Sequence, residues 1–463
     1  MSTKKPPFNP DQLYQRALTL HHAGKLADAE GLYKTLLEYF PHQVEILTTL
    51  GILLFQMGRS EAGFQQIKKS LSLNPNQPAA LYNMAVELQR LTRLDEALSC
   101  YDQSLKLNPQ DINSLLNRGN TLKDLKRYQE AILCFESALA LQPNLPSAHW
   151  NKAITHILLG QYEQGWKEYE WGWQCGERGQ ARKYTQPTWL GDSPITGKTL
   201  LIHPEQGFGD LIQFSRYVPL LEKLGATVIL EASASLVDLM TSLSPNVRVI
   251  KQGDPLPHFD FVCPVMSLPV ALKTSLESIP ANIPYLSVSE SKKGFWQQKL
   301  GNKTKPRIGI VWSGSMTNKI DNNPCARRNI PLQQLQPLFE LPFEFHVMQK
   351  ELRPEDQSVL SSLTHLHLHQ DDLMDFSDTA ALTQEMDLVI AVCTSVAHLS
   401  GALGHPTWVL LPYSADYRWL IDRDDSPWYP TAELFRSQKI GEWSEVISNV
   451  IAKLKVQFSS EFS

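Results

Sequence analysis

Along the first third of the chain, small, large apolar and proline residues return at a step of 34 positions. Pro41, Pro75, Pro109 and Pro143 form one column. Ala29, Gly63, Ala97, Ala131 and Gly165 form a second, and Ala17, Gly51, Ala85, Gly119 and Ala153 a third. Four positions after each member of the second column stands a large residue: Tyr33, Ile67, Tyr101, Phe135, Tyr169. Such a period predicts stacked helix pairs. Small residues let helix A and helix B approach closely, the large residue one turn on fills the space beside them, and the proline ends helix B. In the last pair, QYEQGWKEYEWGWQC, the aromatics Trp166, Tyr169, Trp171 and Trp173 crowd together and no proline closes the helix. This predicts an aromatic face packed on the next domain, with a sugar-stacking platform as the alternative. Residues 175–196 are polar and turn-rich and read as a connector.

Beyond it the pattern changes. KTLLIH, ATVILEA, VRVIKQ and FDFVCPV are short apolar runs, separated by segments of helical period such as DLIQFSRYVPLLEKLG. The alternation restarts at PRIGIVWSGS and continues through FEFHVMQK, THLHLHQ, DLVIAV and TWVLLPY, with helices predicted near 331–340, at 378–386 and from 395. Strand and helix in turn imply α/β halves with parallel sheets, and such sheets hold ligands beyond their strand carboxyl ends.

The strand-end loops are therefore the candidate site. Gly207-Phe208-Gly209-Asp210 lacks the third glycine of a dinucleotide fingerprint, and Asp210 suits either a helix cap or a general base facing a substrate hydroxyl. Trp312-Ser313-Gly314-Ser315 runs on to Asp321 and the pair Arg327-Arg328, arginines of the kind that clamp phosphate oxygens. Gln349-Lys350 follows the next strand. Cys393-Thr394-Ser395 opens a helix carrying His398, an anion site or an ordinary helix start. RWLIDRDDSPWYP, with Arg418, Trp419, Arg423, Asp424, Asp425 and Trp428, either covers the cleft or packs as a loop. His365, His367 and His369 alternate along one predicted strand face, without a fixed further ligand for a metal. A thiol at the start of a helix, as Cys393 would be, is expected to be somewhat acidified.

The repeat register resembles the tetratricopeptide repeat, with about five copies over residues 10–174, the best marked by Leu81, Asn83, Met84, Ala85, Leu88, Ala97, Tyr101 and Pro109. Such arrays present a concave surface to a peptide or protein partner, and Asn83, Asn117 and Asn151 recur at one helix-A position where carboxamides can grip an extended backbone.

Charge narrows the choice. The chain has 463 residues, with Lys+Arg 43 and Asp+Glu 48, a net −5. Residues 1–175 carry 17 basic and 17 acidic side chains, so the rest, 26 against 31, holds the whole excess. That argues against a nucleic-acid binder. Six dispersed cysteines without a C-x-x-C pair suit a reducing cytoplasm. No signal-peptide core and no spanning apolar run is evident.

TAALTQEMDLVIAVCTSVAHLSGALGHPTWVLLPY resembles the nucleotide-sugar site of the glycosyltransferase family that includes the lipopolysaccharide heptosyltransferases, and GFGDLIQFSRYVPLL is similar to that family's N-terminal Gly-Asp motif. Trp312, Asp321, Arg327 and Arg328 look like the phosphate loop of fused repeat/glycosyltransferase proteins. The likeness covers roughly 198–445, and its plan is similar to that of the protein O-GlcNAc transferases. It implies a GT-B pair of Rossmann-type halves after an all-α repeat solenoid: a repeat array over 10–174, a connector over 175–196, an acceptor half over 197–295 and a nucleotide-sugar half over 305–455. It implies inverting, metal-independent sugar transfer with no cofactor beyond a nucleotide-diphosphate sugar as co-substrate. Asp210 would be the base, and Ser313, Gly314, Arg327, Arg328, Gln349, Lys350, Thr394, Ser395, His398 and Trp419 would hold the donor. Two departures stand out: Cys393 occupies the place of the family's acid, and Asn329 that of a serine. They keep a second expectation open, a non-catalytic scaffold whose transferase domain only binds nucleotide or protein.

Overall fold

The 34-residue step is realised as helices. In the computed structural model, which describes residues 6–314 and 327–459, the A helices begin at residues 10, 44, 78, 112 and 146, and the B helices at 26, 60, 94, 128 and 162. The chain divides at Ala148–His149 into two units. The first holds α1 (Pro10–His22), α2 (Leu26–Tyr39), α3 (Val44–Gln56), α4 (Ser60–Leu73), α5 (Pro78–Arg90), α6 (Leu94–Leu107), α7 (Ile112–Asp124) and α8 (Tyr128–Leu141). Each B helix stops two residues before its proline. The small columns lie where the helices of a pair touch: a Cβ on Gly119 would stand 2.4 Å from the ring of Phe135, and one on Gly51 2.5 Å from Ile67. Tyr33, Ile67, Tyr101 and Phe135 are fully buried beside them.

The helix α9 (Pro146–Leu158) crosses the division, and α10 (Tyr162–Tyr169) and α11 (Gly172–Cys175) complete a broken fifth B segment within the second unit. Its aromatics are core. Trp166 meets Phe214 and Tyr417 edge-on, the Tyr169 hydroxyl lies 3.3 Å from that of Tyr417, and Trp428 Nε1 donates to the Tyr162 hydroxyl at 3.1 Å. The packing expectation therefore holds for these residues.

Two parallel sheets follow. The first contains β1 (Thr199–His203), β2 (Thr227–Ala232), β3 (Arg248–Lys251) and β4 (Phe261–Pro264), in the order β3-β2-β1-β4. Helices α12 (Phe208–Phe214), α13 (Val218–Lys223), α14 (Val237–Met240) and α15 (Leu268–Ala271) connect or flank these strands, and α16 (Glu290–Leu300) leads to the second sheet. That sheet has β5 (Arg307–Val311), β6 (Glu344–Val347), β7 (His367–Leu368), β8 (Leu388–Val392), β9 (Thr407–Leu411) and β10 (Ala432–Arg436), ordered β10-β9-β8-β5-β6-β7. Its helices are α17 (Leu332–Phe339), α18 (Pro354–Leu360), α19 (Phe376–Gln384), α20 (Ser395–Ala402) and α21 (Ser444–Gln457). Both orders reverse direction beside the first strand of the sheet, between β1 and β4 and between β5 and β8. Such reversal points, where the carboxyl-end loops diverge, are where open parallel sheets form their ligand crevice.

The connector does more than link. Trp189 N donates to the Val262 carbonyl at 2.8 Å, so the segment runs along β4, and Arg178 and Trp189 are buried. The expected histidine strand stops at Leu368. His367 and His369 both stack on His346, and His369 pairs with it at 3.0 Å, but His365 lies before the strand and bonds the Phe339 carbonyl, so the three do not share one strand face. Among the described residues no His, Cys, Asp and Glu side chains gather into a metal-holding group, and no helix is long and apolar enough to cross a membrane.

Candidate functional site

Asp210 sits in the first turn of α12. Its Oδ2 accepts from the Gly207 N–H at 2.8 Å, which closes the turn, and its Oδ1 accepts from Arg418 Nη2 at 2.5 Å. Gly207 is thus the N-cap and Asp210 the third helical residue that reaches back to it, while its other oxygen is paired with an arginine of the second half. Gly209 brings the loop against the second half. A Cβ there would lie 2.9 Å from His398 Cδ2 and 3.5 Å from Ser395 Cα, so only glycine allows the approach. Arg216 also bridges the halves, donating to the Trp428 carbonyl at 2.6 Å and to the Tyr285 hydroxyl at 3.1 Å.

At the switch point of the second sheet, β5 ends in Trp312-Ser313-Gly314 and β8 in Cys393-Thr394-Ser395. Gln349 braces the first of these loops. Its Oε1 accepts from the Ser313 N–H at 3.0 Å and from the Trp312 N–H at 3.3 Å. Arg328 lies across the second loop and donates from Nη1 to the Cys393 carbonyl at 2.6 Å. Gly314 is pressed on that guanidinium, with 2.6 Å from its would-be Cβ to Nη2, and its N–H donates to Asn329 Oδ1 at 2.8 Å. Thr394 is the N-cap of α20, but its hydroxyl makes no capping bond. Ser313 Oγ, Thr394 Oγ1, Arg328 Nε and Arg418 Nε are all buried without a partner among the described residues. Four such atoms on the loops around one switch point are unusual, because leaving a buried donor unmade costs about 1–3 kcal/mol. All four can donate.

His398, on α20, receives or gives a bond at Nδ1 to the Tyr429 hydroxyl, 3.0 Å away, and stacks on Trp419 with ring centres 5.3 Å apart. Burial, with the neighbouring charges of Arg418, Arg216 and Arg328, holds its pKa well below the ordinary imidazole value, so the ring is neutral. Burial pulls the Arg418 pKa down, but the carboxylates of Asp416 and Asp210 reverse this and hold it well above its ordinary value. Trp419 is fully buried and donates from Nε1 to Cys393 Sγ at 2.9 Å. The expected acidification of Cys393 does not occur. Burial pushes the thiol up, outweighing the arginines near it.

Contacts therefore join Asp210, Gly314, Arg328, Ser395, His398 and Trp419, with Gln349 acting through Ser313. Lys350 is exposed and donates to the Gln370 carbonyl at 2.7 Å, and Arg327 is exposed. Asp321 and Ser315 lie outside the described residues. On the repeats, the Asn83 amide donates to the Ala79 carbonyl of its own helix and that of Asn117 to the Tyr82 hydroxyl at 3.0 Å, while Asn151 is half-buried on α9. Sequence reasoning places Arg418 only in a loop that covers the cleft or packs, and it does not single out Asp416, Arg216 or Tyr429. The density of charge and tryptophan over 416–429 was the available signal.

A cavity of about 170 Å³ opens at the carboxyl end of the first sheet, lined by Trp173, Arg178, Arg182, His203, Gln206, Phe208, Ser233 and Gln252. Its charges are compensated. Arg178 binds Glu205 and Glu170, and Arg182 binds Glu231. Burial pushes Glu205 up to about 7 against the pull of Arg178, and burial lowers His203 to about 4.

Models of the tetratricopeptide repeat match residues 14–78, 78–111 and 112–145, so these residues are tetratricopeptide repeats. The chain is similar to Protein FlbA of Caulobacter vibrioides, 25% identical over 335 residues, which is 66% of this chain and 54% of the relative. It thus spans about half the length of that curated relative. Among solved structures, MamA is 18% identical with a TM-score of 0.33, covering 35% of this chain and 94% of MamA. The pilF protein of Pseudomonas aeruginosa is 20% identical with a TM-score of 0.34, covering 38% and 78%.

Proposed function

We propose that the second unit is an inverting glycosyltransferase of GT-B plan that uses a nucleotide-sugar donor, and that the repeats hold a protein or peptide acceptor. The observation that carries this reading is the set of four unpaired buried donors at the switch point, Ser313 Oγ, Arg328 Nε, Thr394 Oγ1 and Arg418 Nε. Donors fixed where charge develops stabilise a departing diphosphate without reorganisation. The start of α20 adds its dipole. Two guanidiniums, with Arg327 and Lys350 at the rim, supply the positive charge that a metal would otherwise bring. Asp210 takes the proton of an acceptor hydroxyl as its oxygen bonds the anomeric carbon and the bond to the nucleotide diphosphate breaks, which inverts the centre. Residues 305–455 carry the donor and 197–295 the acceptor, whose entry is the cavity beside Trp173.

A second reading has one observation in its favour. Cys393, in the place of the family's acid, is buried and its thiol is held neutral. A domain that binds nucleotide without turning it over fits that loss. Incubation with a panel of nucleotide sugars, with and without candidate peptide and saccharide acceptors, separates the two. Transfer is expected to release nucleotide from one donor, to fall by at least about a hundredfold in Asp210→Ala, and to survive a chelator. No release from any donor would discard the enzyme reading, and loss of activity to the chelator would discard the metal-free mechanism.

A further inference from the structure

The candidate base is not free to take a proton. Both oxygens of Asp210 are engaged, Oδ2 by Gly207 and Oδ1 by Arg418, and Arg418 also donates from Nη1 to both oxygens of Asp416, at 2.8 and 3.0 Å. One guanidinium thus serves two carboxylates from two halves of the unit, and its Nε is buried and has no partner among the described residues. The loop that bears it is strained. Leu420 has φ 54° and ψ −164°, a region that residues other than glycine enter at a cost. Strain of this kind persists only where the surroundings impose it. Here they do: Tyr417 lies under the guanidinium at 4.4 Å, Trp419 is tied to Cys393 and His398, and Arg436 Nη2 donates to the Trp419 carbonyl at 2.6 Å. Arg418 is therefore held at the junction of the base, the start of α20 and the unpaired donors.

We infer that Arg418 couples donor binding to the base: the phosphate of a bound nucleotide competes with Asp210 for its guanidinium, and Asp210 Oδ1 is released to take a proton once that phosphate is held. This deepens the donor reading and rests on it. Arg418 then has two tasks, to contact phosphate and to withhold the base from water until the donor is in place. The chemistry favours the exchange. Guanidinium pairs with phosphate oxygens bidentately, and a phosphate reaching Nε and Nη2 together gains a fork that a single carboxylate oxygen does not offer. Asp416 stays on Nη1 and keeps the side chain oriented while Nη2 changes partner.

The full-length protein is titrated calorimetrically with CMP, UDP, GDP and ADP, as wild type, Asp210→Asn, Arg418→Gln and the double variant, each first checked for cooperative thermal unfolding. Removing the competing carboxylate is expected to tighten nucleotide binding about tenfold when Arg418 is present. In the Arg418→Gln background the same change is expected to matter less than about twofold. Arg418→Lys, which keeps the charge but not the fork, is expected to give an intermediate gain and stands in if the Gln variant does not fold. An equal gain in both backgrounds would overturn the inference, since Asp210 would then act only as a repelling charge. No gain from Asp210→Asn in the wild-type background would overturn it too. Absence of nucleotide binding in every variant would instead remove the donor reading on which it stands.

Discussion

Gly314→Ala should separate folding from binding. The added methyl would lie 2.6 to 2.9 Å from Nη2, Nε and Cζ of Arg328, closer than any real Cβ contact. The strand behind it is rigid, with β5 wholly buried and its end braced by Gln349, so the arginine must give way. Moving it breaks the bond to the Cys393 carbonyl and withdraws Nε from the crevice. A bond from a charged donor contributes about 1.5–3 kcal/mol, which corresponds to a loss of about 10- to 150-fold in nucleotide affinity. Folding should lose about 0.5–2.6 kcal/mol, less than that bond alone contributes, because a Gly→Ala exchange also removes about 0.4–1 kcal/mol of unfolded-chain entropy. Calorimetric titration with the nucleotide that binds the wild type, run beside a thermal melt, measures both. Unchanged affinity in Gly314→Ala, together with a large loss in Arg328→Ala, would refute the reasoning, since the glycine would not be what sets the arginine. Unchanged affinity in both would remove Arg328 from the donor site.

Three further outcomes follow from the same geometry. Gly119→Ala forces a methyl into Phe135 and should destabilise the repeats by about 1–3 kcal/mol, whereas Gly31→Ala in α2 meets nothing within 4 Å and should stabilise them by up to about 1 kcal/mol; urea unfolding followed by circular dichroism gives the two signs. Arg178→Met leaves Glu205 and Glu170 facing each other beneath Tyr169 and should cost about 3–5 kcal/mol, part of which Glu205→Gln in the same chain should restore, as read from denaturant midpoints by tryptophan fluorescence. Stability should fall as pH drops from about 6.5 towards 4. Burial lowers His203, His369 and His405 to about 4 and His346 to about 3, and holds His398 well below its ordinary value, so the unfolded chain takes up protons there that the folded one refuses. Glu205, pushed up to about 7, works in the opposite direction, but it is one group against five. A melting temperature that rises between pH 6.5 and 4.5 would contradict this assignment.

The repeats were legible because their information is local: each column records a contact between helices a few residues apart, and Gly51, Gly63 and Gly119 lie where the period places them. The apolar strands were legible for the same reason, up to TWVLLPY. The elements β10 and α21 went unread, since AELFR mixes charge into a short edge strand. The histidine run was misread because alternation marks a face only where a strand exists, and this one ends at Leu368. The site itself was partly legible. Asp210, Arg328 and Thr394 stand on strand-end loops, which topology alone brings into the crevice. The partnership of Asp210 with Arg418 spans 208 residues and has no local trace. Nor does the burial of Arg178, whose charge in the sequence looks like that of any solvated connector.

The fifth helix pair matters for anyone who wishes to take the protein apart. By sequence it is the last repeat, and residue 175 looks like the natural place to cut. Tyr162, Trp166 and Tyr169 belong, however, to the same core as Phe214, Tyr417 and Trp428. A boundary at 175 would strip that core bare on one fragment and leave an exposed aromatic stripe on the other, inviting aggregation of both. A boundary at Leu145, just ahead of α9, leaves the seam whole. Four repeats are then the exchangeable part, so a foreign array grafted ahead of Pro146 would change what the repeats bind while leaving the aromatic core of the second unit intact.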